Sequence, residues 1–296
     1  MKFIDFKNKK IFIAGKNGLL GSAIYKVFRT KEPRAKYLIP SSKQLDLTNF
    51  NKTENWFKKN RPDYVVIAAA KASGILDNMK SPTFYMVDNI KIQTNLISLS
   101  HKYKVRKLIF IGSSCIYPKF SKNPIKEENL LNGFLEETNQ WYAITKIHGI
   151  KFCEAYKNQF NSNFVSVMPT NLYGINDKYD EKTSHVIPAL IKKFLIAKKK
   201  KNKSVEIWGS GNPKREFLFS EDCAEAIYTI MKRDKYYNLI NIGSDEEIKI
   251  KDLALMIKKI TNYKGNIAFD KRFKKRFLNA NHKSDIKLKN VKFNYK

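Results

Sequence analysis

Short runs of β-branched and apolar residues alternate along this chain with longer stretches whose apolar positions recur at helical spacing. Residues 11–14, 37–39, 64–69, 107–111 and 164–168 read as strands, and the unbroken apolar run at 64–69 reads as a strand buried on both faces. Residues 19–29, 81–101 and 142–160 read as helices, with Pro82 in the first turn of the second, where its missing N–H is not needed. Such alternation is the mark of βαβ units and a parallel sheet covered by helices on both faces. After Thr170 the pattern changes. Helical stretches at 187–199, 220–232 and 250–260 are separated by short strands and turns, among them a strand at 267–269. The expected architecture is α/β: a doubly wound parallel sheet over residues 1–170 and a smaller α/β lobe over 171–296. No linker marks the boundary, so some segments of the second part are expected to return to the main sheet.

Composition narrows the classes. A chain of 296 residues with 43% hydrophobic content can bury the core of one large domain with a small lobe attached. It contains no apolar run of about 18 residues, so no membrane-spanning helix is expected. Its charged start passes straight into a strand-like run, which does not resemble a secretory signal. Cys115, Cys153 and Cys223 stand far apart without metal-ligand spacing, so no metal site is expected and a reduced, cytoplasmic protein fits. The net charge of +30 admits three readings: a nucleic-acid binder, a positive field that steers phosphate-bearing substrates, or lysines that simply fill solvated positions. The lysines are spread over the whole chain, which favours the last. The densest run, 198–203, holds one asparagine and no aromatic, and reads as a solvated helix end; no nucleic-acid partner is expected.

Between the first strand and first helix stands Gly15-Lys16-Asn17-Gly18-Leu19-Leu20-Gly21. Glycines at this spacing allow a tight turn and close approach of backbone to a pyrophosphate, which then meets the free N–H groups of the helix start. The first 170 residues are therefore expected to form a Rossmann-type dinucleotide-binding domain. An NAD site usually carries an acid about 20 residues on, at the tip of the second strand. Here that tip reads Pro40-Ser41-Ser42-Lys43, and the hydroxyls of Ser41 and Ser42 with the ammonium of Lys43 suit a 2′-phosphate instead, so NADP (NADPH) is the expected cofactor. Asp46 is placed to reach the adenine edge, or else to cap a helix starting near Asn49.

Tyr142 and Lys146 lie four positions apart on a helix and so share a face. An ammonium there is expected to lower the phenol's pKa, letting the tyrosine exchange a proton with a sugar oxygen, while the lysine can also hold a nicotinamide ribose. Ser113 follows the strand that ends at Ile111, on the sheet edge where ligands of open α/β folds bind, and its hydroxyl can hold the same oxygen. Glycine loop, serine and Y-x-x-x-K in this order point to a reductase triad of Ser113, Tyr142 and Lys146.

Several longer blocks resemble the GDP-L-fucose synthases, a group of extended short-chain dehydrogenases/reductases also described as GDP-4-keto-6-deoxy-mannose 3,5-epimerase-4-reductases. They are Ile111-Gly112-Ser113-Ser114-Cys115-Ile116-Tyr117-Pro118-Lys119; Ala68-Ala69-Ala70-Lys71 with Gly74-Ile75; Val167-Met168-Pro169-Thr170-Asn171-Leu172-Tyr173-Gly174; Ser184-His185-Val186-Ile187-Pro188-Ala189-Leu190; and Trp208-Gly209-Ser210-Gly211 with Arg215-Glu216-Phe217-Leu218. The resemblance implies a homodimer and a two-stage reaction on a GDP-linked keto-sugar. Cys115 and His185 would exchange the protons at C3 and C5, Cys115 as the base-side and His185 as the acid-side group. NADPH would then reduce C4, with Tyr142 as proton donor. It also implies that Ile111, Gly112, Ser114, Pro169, Thr170, Asn171, Leu172 and His185 line the cofactor, and that Lys193, Trp208 and Arg215 contact substrate.

The chain departs from that pattern in places. Lys16-Asn17 stands where the family has His-Arg, Pro40 where a basic residue is common, and Lys193 where an arginine is often found, giving a point charge in place of a bidentate fork. The stretch after Asp270, residues 271–278, lacks the Pro-Asp-Gly-x-Pro-Arg-Lys-type loop of the family. Two enzyme readings stay open: synthesis of GDP-L-fucose, and C4 reduction, with or without epimerisation, of another GDP-linked 4-keto deoxy sugar or heptose. A non-catalytic nucleotide-binding protein is the reading from another class, and an intact Ser-Tyr-Lys set argues against it.

Overall fold

The computed structural model describes residues 3–71, 80–179 and 184–270. Residues 74–75 and 271–278, singled out above, lie outside these. The first part alternates strand and helix: β1 (Lys10–Ala14), α1 (Leu19–Lys31), β2 (Lys36–Leu38), α2 (Phe50–Asn60), β3 (Tyr64–Ile67), α3 (Pro82–Lys102), β4 (Lys107–Ile111), α4 (Gln140–Phe160) and β5 (Phe164–Pro169). It continues with β6 (Asn171–Tyr173), α5 (Val186–Lys199), β7 (Ser204–Trp208), β8 (Lys214–Phe219), α6 (Ser220–Lys232), β9 (Leu239–Ile242), β10 (Glu247–Lys249), α7 (Ile250–Ile260) and β11 (Asn266–Asp270). The elements expected from periodicity are present, with ends displaced by a residue or two.

Six parallel strands form the main sheet in the order β2-β1-β3-β4-β5-β9. Its strands send alternate residues to opposite faces. Ile11 and Ile13 pack with Ile24, Val27 and Phe28 of α1 and Ile227, Ile230 and Met231 of α6 on one face. Phe12 and Ala14 pack with Phe57 of α2, Leu96 of α3 and Ile150 of α4 on the other. This is the doubly wound arrangement, and the strand order reverses between β1 and β3, the crevice where open α/β sheets receive ligands. Lys107, at the start of β4, is fully buried; its ammonium donates to the carbonyls of Ile230, Arg233 and Lys235 at 2.7, 2.8 and 3.2 Å. It thereby closes the C-terminal end of α6, where carbonyls lack helical partners.

The smaller lobe holds a three-stranded sheet, β10-β8-β6, and a parallel pair, β11-β7. Its own core joins Leu190 and Phe194 of α5, Val205 and Ile207 of β7, and Leu253 and Ile257 of α7. In the main sheet β9 pairs with β5, and α6 packs on α1.

Candidate active site

Gly15 to Gly18 make the turn between β1 and α1, closed by the Gly18 N–H donating to the Gly15 carbonyl at 3.0 Å. Gly15 has φ +87°, and a Cβ there would lie 2.6 Å from the Ala69 nitrogen. A Cβ on Gly21 would lie 2.0 Å from the Gly15 carbonyl oxygen. Both are glycines because the turn and the helix pack against backbone. Gly18 differs: the nearest atom to an added Cβ is 3.5 Å away, an ordinary contact. The protein's own packing does not demand glycine at 18, so the space a Cβ would fill faces outward. No side chain caps the first turn of α1 and no acid stands in it. The amides of Leu19, Leu20 and Gly21 therefore end in a shallow cradle with the positive end of the helix dipole behind it, which suits a diphosphate.

The tip of β2 is a turn tied by its own residues. The Ser41 N–H and hydroxyl reach Gln44 Oε1 at 2.8 and 3.0 Å, leaving Ser42 and Lys43 as the exposed polar groups. Asp46 does not cap α2. Its Oδ1 accepts from the Thr48 N–H and hydroxyl at 3.0 and 2.7 Å, bonds that hold its carboxyl below the usual range, and Asn49 caps the helix instead, accepting from the Lys52 N–H at 2.9 Å. Lys16 lies with its ammonium 5.2 Å from the Tyr25 ring centre.

At the carboxyl end of β4, Ser113 opens a short 3-10 turn (Ser114–Ile116) and accepts from the Cys115 N–H at 3.5 Å. The turn presents Cys115 towards α4, which carries Tyr142 and Lys146. These four residues form one electrostatic cluster. Burial pushes the Cys115 thiol up to about 11, while the Ser113 hydroxyl and the Lys146 charge draw it down. Burial lowers Lys146 to about 8, against the pull of Cys115. The expected lowering of the Tyr142 pKa is not found. Burial, with Cys115 adding to it, drives the phenol far above its ordinary value. The reason is geometric: the Lys146 ammonium donates to the Ile111 carbonyl at 2.8 Å and stands 5.7 Å from the Tyr142 ring centre.

Gly112 sits against Met168, and Pro169 ends β5 beside it. The next two side chains, Thr170 and Asn171, turn to the small lobe and donate to the Glu216 carbonyl at 3.1 and 3.0 Å; Leu172 continues into β6. In the lobe, Lys193 stands 4.5 Å from the Trp208 ring centre and donates to the Glu206 carbonyl at 3.1 Å. Arg215 lies on β8 and donates to the Lys214 carbonyl at 2.8 Å. His185 precedes α5, exposed to solvent, with Asp177 as its charged neighbour, on the lobe side and not within the Ser113–Cys115–Tyr142–Lys146 cluster.

A family model described as the NAD dependent epimerase/dehydratase family matches residues 11–243. The chain belongs to the NAD dependent epimerase/dehydratase family. It is 46% identical over 262 residues to a GDP-L-fucose synthase of Sinorhizobium fredii, an alignment that covers 88% of this chain and 83% of the relative. A solved GDP-6-OMe-4-keto-L-xylo-heptose reductase from C. jejuni superposes with a TM-score of 0.86 at 32% identity, covering 97% of this chain and 91% of that one. A GDP-L-fucose synthetase from Naegleria fowleri bound to NADP gives a TM-score of 0.84 at 28% identity, covering 92% of this chain and 84% of that one.

In this epimerase/dehydratase chain, motif reading passes over three buried polar residues that frame the site. Asn89 on α3 accepts from the Lys71 N–H at 2.8 Å and donates to its carbonyl at 2.9 Å, fixing the segment after β3 on which Gly15 packs. Glu216, beside Arg215, accepts from the Ser244 and Asp245 N–H groups at 2.6 and 3.0 Å. Asn241 on β9 is the third. The one signal for Asn89 in the sequence is a polar residue among the core-facing positions of a helix. Among the described residues no helix is long and apolar enough to cross a membrane and no cluster of metal-ligating side chains occurs.

Proposed function

We propose that this chain is an NADP(H)-dependent epimerase-reductase that converts GDP-4-keto-6-deoxy-D-mannose to GDP-L-fucose. The observation that carries the reading is the meeting of a thiol, a hydroxyl, a phenol and an ammonium (Cys115, Ser113, Tyr142, Lys146) on the same carboxyl edge of the sheet as an uncapped glycine-rich helix start. The named activity of the Sinorhizobium fredii relative supports the substrate, and the NADP in the Naegleria fowleri neighbour supports the cofactor.

The open position at Gly18 and the uncapped amides of Leu19, Leu20 and Gly21 fit a dinucleotide diphosphate, with Gly15, Lys16 and Asn17 forming the turn around it. Ser42 and Lys43, with Ser41 and Asp46 behind them, serve the adenosine end. Ile111, Gly112, Ser114 and Pro169 to Leu172 serve the nicotinamide end. When bound, NADPH supplies the hydride that reduces C4.

The chain's own residues handle the protons. The 4-keto group acidifies the C3 and C5 hydrogens; at each centre in turn Cys115, as thiolate, removes the proton from one face and His185, as imidazolium, returns one to the other, the thiol giving up its proton and the imidazole regaining one before the second exchange. Tyr142 gives its proton to the C4 oxygen, a role for which a neutral phenol of high pKa is the right form, while Ser113 donates a hydrogen bond to the same atom. Lys146 holds the ribose. Lys193, Trp208 and Arg215 hold the GDP portion.

The long helices α3 and α4 expose Phe84, Val87, Trp141, Ile144 and Phe160, which supports a homodimer through that face. Three unpaired cysteines suit a reducing, cytoplasmic setting. The test is NADPH oxidation against a panel of GDP-4-keto sugars that includes a heptose, with NMR of the products. Formation of GDP-L-fucose is expected. Turnover of the heptose without the deoxymannose substrate would overturn the assignment.

A further inference from the structure

The turn that carries Cys115 is anchored by a residue far away in sequence. Tyr117, directly after the turn, is buried and donates its hydroxyl to Asn241 Oδ1 at 2.5 Å. Asn241 is fully buried in β9, in register with Met168 of β5. Its side-chain amide donates to the Ile125 carbonyl at 3.2 Å, and its backbone N–H donates to Glu127 Oε1 at 2.8 Å. One residue of β9 thus holds three points of the stretch from 117 to 127. The Tyr117 N–H also closes the turn on the Ser114 carbonyl at 3.4 Å, so a fixed Tyr117 fixes the backbone on which Cys115 rides.

We infer that Asn241, acting through Tyr117, is a positioning residue for Cys115, setting where the thiol stands against the sugar and thereby the efficiency of proton exchange at C3 and C5. The inference rests on the proposed role of Cys115. Tyr142 and Lys146 ride on α4 and the diphosphate cradle on β1 and α1, so the anchor acts on the turn of Ser113, Ser114 and Cys115 and not on these parts. A displacement of the thiol by a fraction of an ångström raises the barrier to proton removal without disturbing cofactor binding.

The test uses the full chain, with Tyr117→Phe and the double variant Tyr117→Phe/Asn241→Leu. The double variant leaves no Asn241 Oδ1 unpaired, as the single one does, and its cost is confined to the Ile125 carbonyl, which loses its side-chain donor; variants that circular dichroism shows to be folded are compared. Three quantities are read: deuterium uptake at C3 and C5 of GDP-4-keto-6-deoxymannose in heavy water without NADPH, NADPH affinity by fluorescence, and the rate of Cys115 alkylation by iodoacetamide against pH. Exchange is expected to fall about tenfold or more in both variants. NADPH affinity should stay near the parent's, and the alkylation profile should shift. Parental exchange in either folded variant overturns the positioning role alone. A parent chain that exchanges nothing overturns the reading of Cys115, and the positioning role with it.

Discussion

The ammonium of Lys146 is hydrogen-bonded to the Ile111 carbonyl, 2.8 Å away, and this ties the helix of Tyr142 to the end of the strand that leads into Ser113. The bond keeps a buried charge supplied with an acceptor, which a lone ammonium in an apolar setting would lack. Burial, with Cys115 adding to it, raises the Tyr142 phenol and favours its protonated form, in which it can donate.

The pH profile of reduction follows from Lys146. Burial lowers it from 10.5 to about 8, so the free enzyme loses the ammonium as the pH rises through 8. kcat/KM for NADPH oxidation is expected to be flat below that point and to fall above it. Lys146→Met should cost roughly 10²- to 10⁴-fold and remove the falling limb. An unchanged limb in that variant would assign the titration to another group.

Cys115 should behave as a reluctant nucleophile. With its thiol near 11, alkylation by iodoacetamide is expected to be slow at neutral pH and to accelerate steadily through pH 9. Cys115→Ser should abolish deuterium uptake at C3 and C5 while NADPH still binds. Rapid alkylation at pH 7 would contradict the burial argument.

Two glycines of the loop, Gly18 and Gly21, should separate on substitution. Gly21→Ala places a methyl 2.0 Å from the Gly15 carbonyl oxygen, so loss of several kcal/mol of stability, read as a lowered Tm, is expected. Gly18→Ala meets nothing closer than 3.5 Å and should fold normally, yet bind NADPH about tenfold or more weakly, because the methyl occupies the cradle. Unaltered NADPH affinity in Gly18→Ala would place the diphosphate elsewhere.

Lys107 offers a test of stability away from the chemistry. Its ammonium supplies three carbonyls at the end of α6, and Lys107→Met leaves them in the interior without that donor. A loss of about 2–4 kcal/mol in chemical denaturation is expected, from unpaired buried acceptors and the lost charge at a helix C-terminus. A variant as stable as the parent would show that desolvation of the lysine cancels its hydrogen bonds.

Much of this fold can be read from order along the chain. The strands β1, β3, β4 and β5 are short apolar runs between amphipathic stretches, and the glycine loop, Ser113 and Y-x-x-x-K fall at the ends of the elements that carry them. α2 was harder to see, since it is polar and buries only Thr53 and Phe57. What sequence order conceals is who meets whom. The Tyr142 phenol was expected to be lowered by Lys146, but the lysine's orientation towards Ile111 is set by tertiary packing. Asp46 and Asn49 are both capping residues by type, and only the local backbone decides which one caps. The pairing of Tyr117 with Asn241 joins two ordinary-looking positions that neither periodicity nor motif connects.

The return of β9 to the main sheet has a consequence for how this protein can be divided. The polypeptide leaves the large sheet after β5, re-enters through α6 and β9, and departs again with β10. The lobes are laced together by three passages, so neither swings on a single hinge and no one cut frees either. A fragment ending at residue 170 would lack α6 and β9 and bare Ile109, Ile111, Val165 and Val167, the face those elements cover, which is a recipe for aggregation upon expression and not for a soluble nucleotide-binding half.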